Sequence, residues 1–84
     1  MSYKVIPSFL FLEQTKELEV KTLKILKQKK LILKNNPYHF KKLKHKKSIF
    51  RIRFKDKGKE KRLVYEIEDK IISLLFILDR KKDY

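Results

Sequence analysis

The chain has 84 residues, with 24 Lys and Arg against 10 Asp and Glu, a net charge of +14 and no cysteine. That length predicts one small domain, residues 1–84, with a modest core, since such a domain buries roughly 60% of the surface its unfolded chain exposes. Without cysteine, neither a disulfide framework nor a Cys-based zinc site can staple it. The excess of positive charge selects an anionic partner: nucleic acid, an acidic protein or an anionic membrane surface.

The run Tyr3 to Ile6 is β-branched and aromatic and predicts a short strand closed by Pro7. It does not read as a signal peptide. The longest purely apolar run near the C-terminal end, Leu74 to Leu78, is too short to span a bilayer. A cytoplasmic protein is therefore expected, with no membrane partner.

Ser8 stands where a helix N-cap would, able to accept from an orphan amide of the first turn. From Phe9 to Lys34 there is no glycine or proline, and Leu, Lys, Glu and Gln dominate. Phe9 and Leu12 lie along one stripe, flanked by Phe11 and Leu18. Val20, Leu23, Leu26 or Lys27, and Lys30 or Leu31 continue a 3–4 spacing. The phase slips near Leu18-Glu19, which predicts two helices, about 9–17 and 20–34, or one bent helix. Asn35-Asn36-Pro37 is a stop, with asparagine tolerating a left-handed cap and proline unable to continue.

Tyr38 to Lys47 is a polar connector anchored by Phe40 and Leu43. Lys41 to Arg62 contains twelve Lys and Arg but only two acids, Asp56 and Glu60, so ten of the fourteen net charges fall in 22 residues. Ser48 to Tyr65 reads as a β-hairpin turning at Gly58. Phe50, Ile52 and Phe54 point one way, Ile49, Arg51 and Arg53 the other. On the next strand Leu63, Tyr65 and Ile67 share one face and Arg62, Val64, Glu66 and Glu68 the opposite one. Glu68-Asp69-Lys70 is a tight connection. Ile71 to Leu78 is apolar on both faces apart from Ser73, as for a central strand covered on both sides or joined to a partner. The predicted order is β-α-α-β-β-β: an α+β fold with a helical hairpin packed on one face of a small, twisted, mostly antiparallel sheet.

With these pieces in order, the sequence resembles the RelE/ParE superfamily of toxins from toxin–antitoxin systems. The features carrying the likeness are the short first strand, the helical hairpin ending in Asn36-Pro37, Lys42-Leu43-Lys44, and Phe50-Arg51-Ile52-Arg53. Arg62-Leu63-Val64-Tyr65-Glu66 and the ending Asp79-Arg80 with Tyr84 complete it. The resemblance implies a microbial RNase-like fold and a RelE-like endoribonuclease that cleaves mRNA in the ribosomal A site. The 2′-hydroxyl would attack the adjacent phosphorus without a metal or other cofactor. It also implies an acidic, RelB-like antitoxin as partner, in a hetero-oligomer. Two readings remain as alternatives: a ParE-like DNA gyrase inhibitor or degenerate toxin, and a non-catalytic basic RNA-binding module.

The chemistry assigns roles. Arginine's planar fork suits a phosphate and stays charged. Arg62, at the family's arginine position, would offset charge on the phosphorane, with Arg80 from the tail. Arg51 and Arg53 stand where the family's RelE-type enzymes carry lysines; they can hold phosphate, but with a pKa above ~12 they do not serve as a base. Tyr84, matching the family's terminal tyrosine, would stack on a base or exchange a proton. Lys42, Lys44, His45, Lys46 and Lys47, in the basic connector, would contact RNA, the lysines through its phosphates. His45 could also serve as a base, whereas His39 reads as structural. Two histidines without an acid or cysteine cluster make a poor metal site. The expected site therefore has ample charge and no convincing proton acceptor.

Overall fold

The computed structural model describes residues 3–38, 40–42 and 48–79. Strand β1 (Lys4–Pro7) is followed by helices α1 (Phe9–Thr15) and α2 (Val20–Asn35), then by strands β2 (Lys41–Lys42), β3 (Ile49–Asp56), β4 (Lys59–Glu68) and β5 (Ile71–Asp79). These strands form one sheet in the order β1-β5-β4-β3-β2. β1 runs parallel to β5, and the other pairs are antiparallel. The α+β architecture is as expected, with two adjustments. The first strand is displaced by one residue and ends on Pro7. The connector also contributes the two-residue strand β2, paired to β3 through Lys41–Arg51 and Lys42–Phe50.

The two helices separate at Lys16–Glu19, where the apolar phase slips. Their buried stripes differ from those expected. In α1 Phe11 is buried, while Phe9 is 78% and Leu12 47% exposed. The inward residues follow the spacing Ser8, Phe11, Gln14, Leu18, and two of them are polar because they complete the sheet. β1 reaches along β5 only as far as the Pro7–Leu74 pair. Beyond it, the Ser8 amide donates to the Leu74 carbonyl at 2.8 Å, and the Ser8 hydroxyl to the Leu75 carbonyl at 2.6 Å. The Gln14 amide then donates to the Ile77 carbonyl at 2.9 Å and accepts from the Ile77 amide at 2.6 Å. Beyond β1, among the described residues, the β5 edge is thus satisfied by the Ser8 amide and by the Ser8 and Gln14 side chains. Ser8 also caps α1 as expected, accepting from the Phe11 amide at 3.0 Å.

In α2 the buried residues are Thr22, Leu26 and Leu33, while Val20, Leu23 and Leu31 are exposed. Thr22 turns inward because its hydroxyl donates to Asp56 Oδ1 at 2.7 Å. The same oxygen accepts from the Glu19 amide at 2.9 Å, so the β3–β4 hairpin caps the start of α2. α2 ends at Asn35, but the capping Asn36 has φ −148° rather than a left-handed conformation, and its amide bonds back to Ile32.

The core lies between the helices and one sheet face. Phe11, Leu26 and Leu33 meet Phe50, Ile52, Phe54, Leu63, Tyr65, Ile67, Ile72, Leu74 and Ile77, with Phe40 packed against this cluster. Tyr65 is fully buried and stacks on Phe50, with ring centroids 5.5 Å apart. Its hydroxyl donates to the Pro37 carbonyl at 2.7 Å, and burial pushes its pKa well above the ordinary tyrosine range. A register shift at Val64/Tyr65 between β4 and β5 keeps Leu74 and Ile77 on the same core face. The β3–β4 hairpin turns through Lys57 and Gly58, both at positive φ (54° and 78°), the type I′ geometry that fits the twist of the strands. Among the described residues, no helix is long and apolar enough to cross a membrane.

Candidate functional site

Strand parity places the arginines. Phe50, Ile52, Phe54 and Asp56 face the helices, so Arg51, Arg53 and Lys55 lie on the open face of the sheet. On β4, Leu63, Tyr65 and Ile67 face the helices, which puts Glu60, Arg62, Val64 and Glu66 on the same side of the sheet as those arginines, where Val64 is itself buried. Register then sets neighbours: Arg53 opposes Arg62, Arg51 opposes Val64, and Lys55 opposes Glu60. On its other side Arg62 opposes Leu78. Arg51, Arg53 and Arg62 therefore share one small area, on strands held rigidly from behind by the core.

Their environments differ. The Arg53 side chain is 58% exposed, and its Nε lies 3.1 Å from Glu60 Oε2. Arg51 is half-buried, and its Nε has no hydrogen-bond partner among the described residues. Arg62 is only 6% exposed. It forms the floor of the patch, with Arg51 and Arg53 nearer the solvent. Directly opposed like charges on a sheet are unfavourable. Two guanidiniums a strand apart are also spaced so that they can grip one phosphate.

The two acids of the basic stretch part company. Asp56 faces the helices and is nearly buried. Hydrogen bonds from the Glu19 amide and Thr22 hydroxyl hold its carboxyl below the usual range, helped by Lys57 and Lys61 and opposed by desolvation. It is a structural cap. Glu60 stays on the arginine face, its side chain 21% exposed. The alternation that reveals Arg62 also places Glu60 two residues before it on the same face, a signal legible in the sequence.

Of the other expected site residues, Lys42 belongs to β2. Lys44, His45, Lys46, Lys47, Arg80 and Tyr84 lie outside the described residues, as do His39 and the expected anchor Leu43.

A second surface lies between α1, α2 and β1. It is a groove of about 480 Å³ whose walls include Phe11, Leu12, Leu23 and Leu31, with Lys27, Lys30 and Lys34 among its lining residues and no acid.

No family model matches this sequence, and no curated protein matches it. Solved structures do. A double arginine-to-alanine variant of the E. coli toxin RelE in the free state superposes with a TM-score of 0.82 at 18% identity, covering 99% of this chain and 88% of that one. The intact E. coli RelBE toxin–antitoxin complex matches with a TM-score of 0.79 at 21% identity over 93% and 96%. The archaeal RelE–RelB complex from Pyrococcus horikoshii OT3 gives 0.73 at 20% identity over 98% and 99%. At such identities the likeness is one of fold: this chain has the fold of the RelE toxins.

Proposed function

We propose that residues 1–84 form a single toxin domain of a toxin–antitoxin pair. Its activity is that of an endoribonuclease cutting mRNA in the ribosomal A site, silenced by an acidic antitoxin. The observation that carries this reading is the cluster of Arg51, Arg53 and Arg62 on the open sheet face, with two of the three directly opposed. The RelE-like fold supports it.

In this reading the 2′-hydroxyl attacks the adjacent phosphorus and the bond to the 5′-oxygen breaks. Arg62 and Arg53 offset the charge gathering on the phosphorane oxygens, and Arg51 holds the neighbouring phosphate. Arg80 and Tyr84 would close the site from the tail. Lys42, Lys44, His45, Lys46 and Lys47 would track the RNA on the connector side. A preorganised donor aimed at developing charge contributes about 2.7–4 kcal/mol, or 10²–10³ in rate.

The antitoxin proposal has its own physical support. Leu31 and Ile32 are 58% and 42% exposed, beside a groove that is apolar at its walls and lysine-lined. An acidic amphipathic segment folding on binding complements both features.

The test is induction of the protein followed by primer extension on cellular mRNA. Wild type is expected to arrest growth and cut messages, and Arg62→Ala to lower cleavage by about 10²–10³, the worth of one such donor. Intact messages at toxic expression levels would refute the nuclease reading. Inhibition of gyrase supercoiling with no RNA cut would replace it with the gyrase one.

A further inference from the structure

We propose that Glu60 is the general base of the arginine site, the group that accepts the proton of the attacking 2′-hydroxyl; this rests on the ribonuclease reading above. The arginines supply charge but no acceptor, because a guanidinium does not give up its proton near neutrality. An ionised carboxylate is acceptor-only and meets that need.

Among the described acids of β3 and β4, parity narrows the choice to one residue. Asp56 points to the helical layer, where its Oδ1 holds the Glu19 amide and the Thr22 hydroxyl. Of the acids on the open face of β4, Glu66 lies four residues from Arg62, roughly 13 Å along the strand, and Glu68 lies further still, next to the turn. Glu60 lies two residues from Arg62, roughly 7 Å, within reach of a side chain working on the same phosphate. Its Oε2 is 3.1 Å from Arg53 Nε, so the carboxylate is ion-paired with one of the arginines that would bind the substrate. Its cross-strand partner Lys55 adds a further cation beside it. Charge donors and a carboxylate thus converge on one face, the combination that proton abstraction next to a phosphate requires.

The step balances without another reagent. Glu60 takes the 2′-hydroxyl proton as the 2′-oxygen bonds to phosphorus. The bond from phosphorus to the 5′-oxygen breaks with its electron pair, and that oxygen takes a proton from water. The products are a 2′,3′-cyclic phosphate and a 5′-hydroxyl, and the carboxyl returns its proton to solvent.

The test is single-turnover cleavage of ribosome-bound mRNA by the full chain, with toxin binding to those ribosomes measured in parallel and folding checked by circular dichroism. Wild type, Glu60→Gln, Glu60→Asp and His45→Ala are compared across pH. Glu60→Gln is expected to lose 10²–10⁴ in rate, the usual worth of general base catalysis, with binding within threefold. It should also abolish the acid limb of the wild-type pH–rate profile. Glu60→Asp should recover part of the rate. Cleavage by Glu60→Gln within threefold of wild type overturns the assignment while the nuclease reading stands, whether or not His45→Ala is impaired. Parallel loss of rate and binding overturns it too, making Glu60 only a counter-ion for Arg53. If Glu60→Gln is unfolded, Glu60→Thr takes its place, and cleavage within threefold of wild type then decides against the base. A wild type that cuts no mRNA removes the nuclease reading itself, and Glu60's role with it.

Discussion

Gln14 offers a sharp test of how the two layers are joined. Its side-chain amide occupies the place of a strand residue, donating to the Ile77 carbonyl at 2.9 Å and accepting from the Ile77 amide at 2.6 Å. Gln14→Leu keeps the size of the side chain and removes both bonds. Each is worth about 0.5–1.5 kcal/mol net, so the loss is about 1–3 kcal/mol. For a domain this small, 1 kcal/mol moves the melting point by about 4–8 °C, so a loss near 2 kcal/mol predicts a fall of about 8–16 °C. Gln14→Glu separates the bonds. A carboxylate still accepts from the Ile77 amide but faces the Ile77 carbonyl as a second acceptor. It should be at least as destabilising as Leu at pH 7 and recover relative to wild type near pH 4, where a protonated carboxyl can donate. Thermal melts followed by far-UV circular dichroism at both pH values read this directly. If Gln14→Leu melts within about 1 °C of wild type, or Gln14→Glu matches wild type at pH 7, the edge of β5 is not held this way.

Two further outcomes follow from buried polar groups. Tyr65→Phe removes the donor to the Pro37 carbonyl while keeping the stack on Phe50, and urea denaturation should show a loss of about 1–3 kcal/mol for the unsatisfied carbonyl. Asp56 has a folded pKa lowered by the Glu19 and Thr22 hydrogen bonds. Its contribution is therefore fully present above the unfolded carboxylate value of about 3.9 and lost as pH falls through the lowered folded value. Urea midpoints from pH 7 to pH 2 should show wild type above Asp56→Asn at neutral pH, with the gap closing in acid. A gap independent of pH would contradict this.

The strands were legible because their alternation is strict. Phe50, Ile52 and Phe54 against Arg51 and Arg53 fix the face of every residue in β3, and the turn at Lys57–Gly58 fixes the register to β4. From those two facts the opposition of Arg53 and Arg62 can be counted off the sequence. The helices were legible in extent but not in orientation. An apolar count selects Phe9 and Leu12, yet α1 turns Ser8 and Gln14 inward because, among the described residues, the β5 edge has no strand partner beyond Leu74. In α2, Thr22 displaces Leu23 from the interior because Asp56, 34 residues away, needs a donor. Such pairings have no local signature, since each polar residue is drawn inward by a group that only the tertiary fold brings near. The place of Glu60 was within reach of the same alternation.

The cost of assembling the arginine face can itself be measured. Arg53 lies opposite Arg62 in the β3–β4 register, and like charges so placed destabilise a sheet by a few tenths to about 1 kcal/mol. Glu60 offsets part of this through Arg53, but a pair more than half exposed on one side is screened and worth little. Arg53→Thr removes the repulsion and places a good strand former at an exposed position of β3. Its melting point should therefore equal or slightly exceed that of wild type, while mRNA cleavage falls at least tenfold through loss of a phosphate contact. The two readouts move in opposite directions only if Arg53 is retained for binding rather than for the fold. A variant destabilised by more than about 1 kcal/mol would show that the pair with Glu60 outweighs the repulsion. The arginine opposition would then cease to mark a functional site.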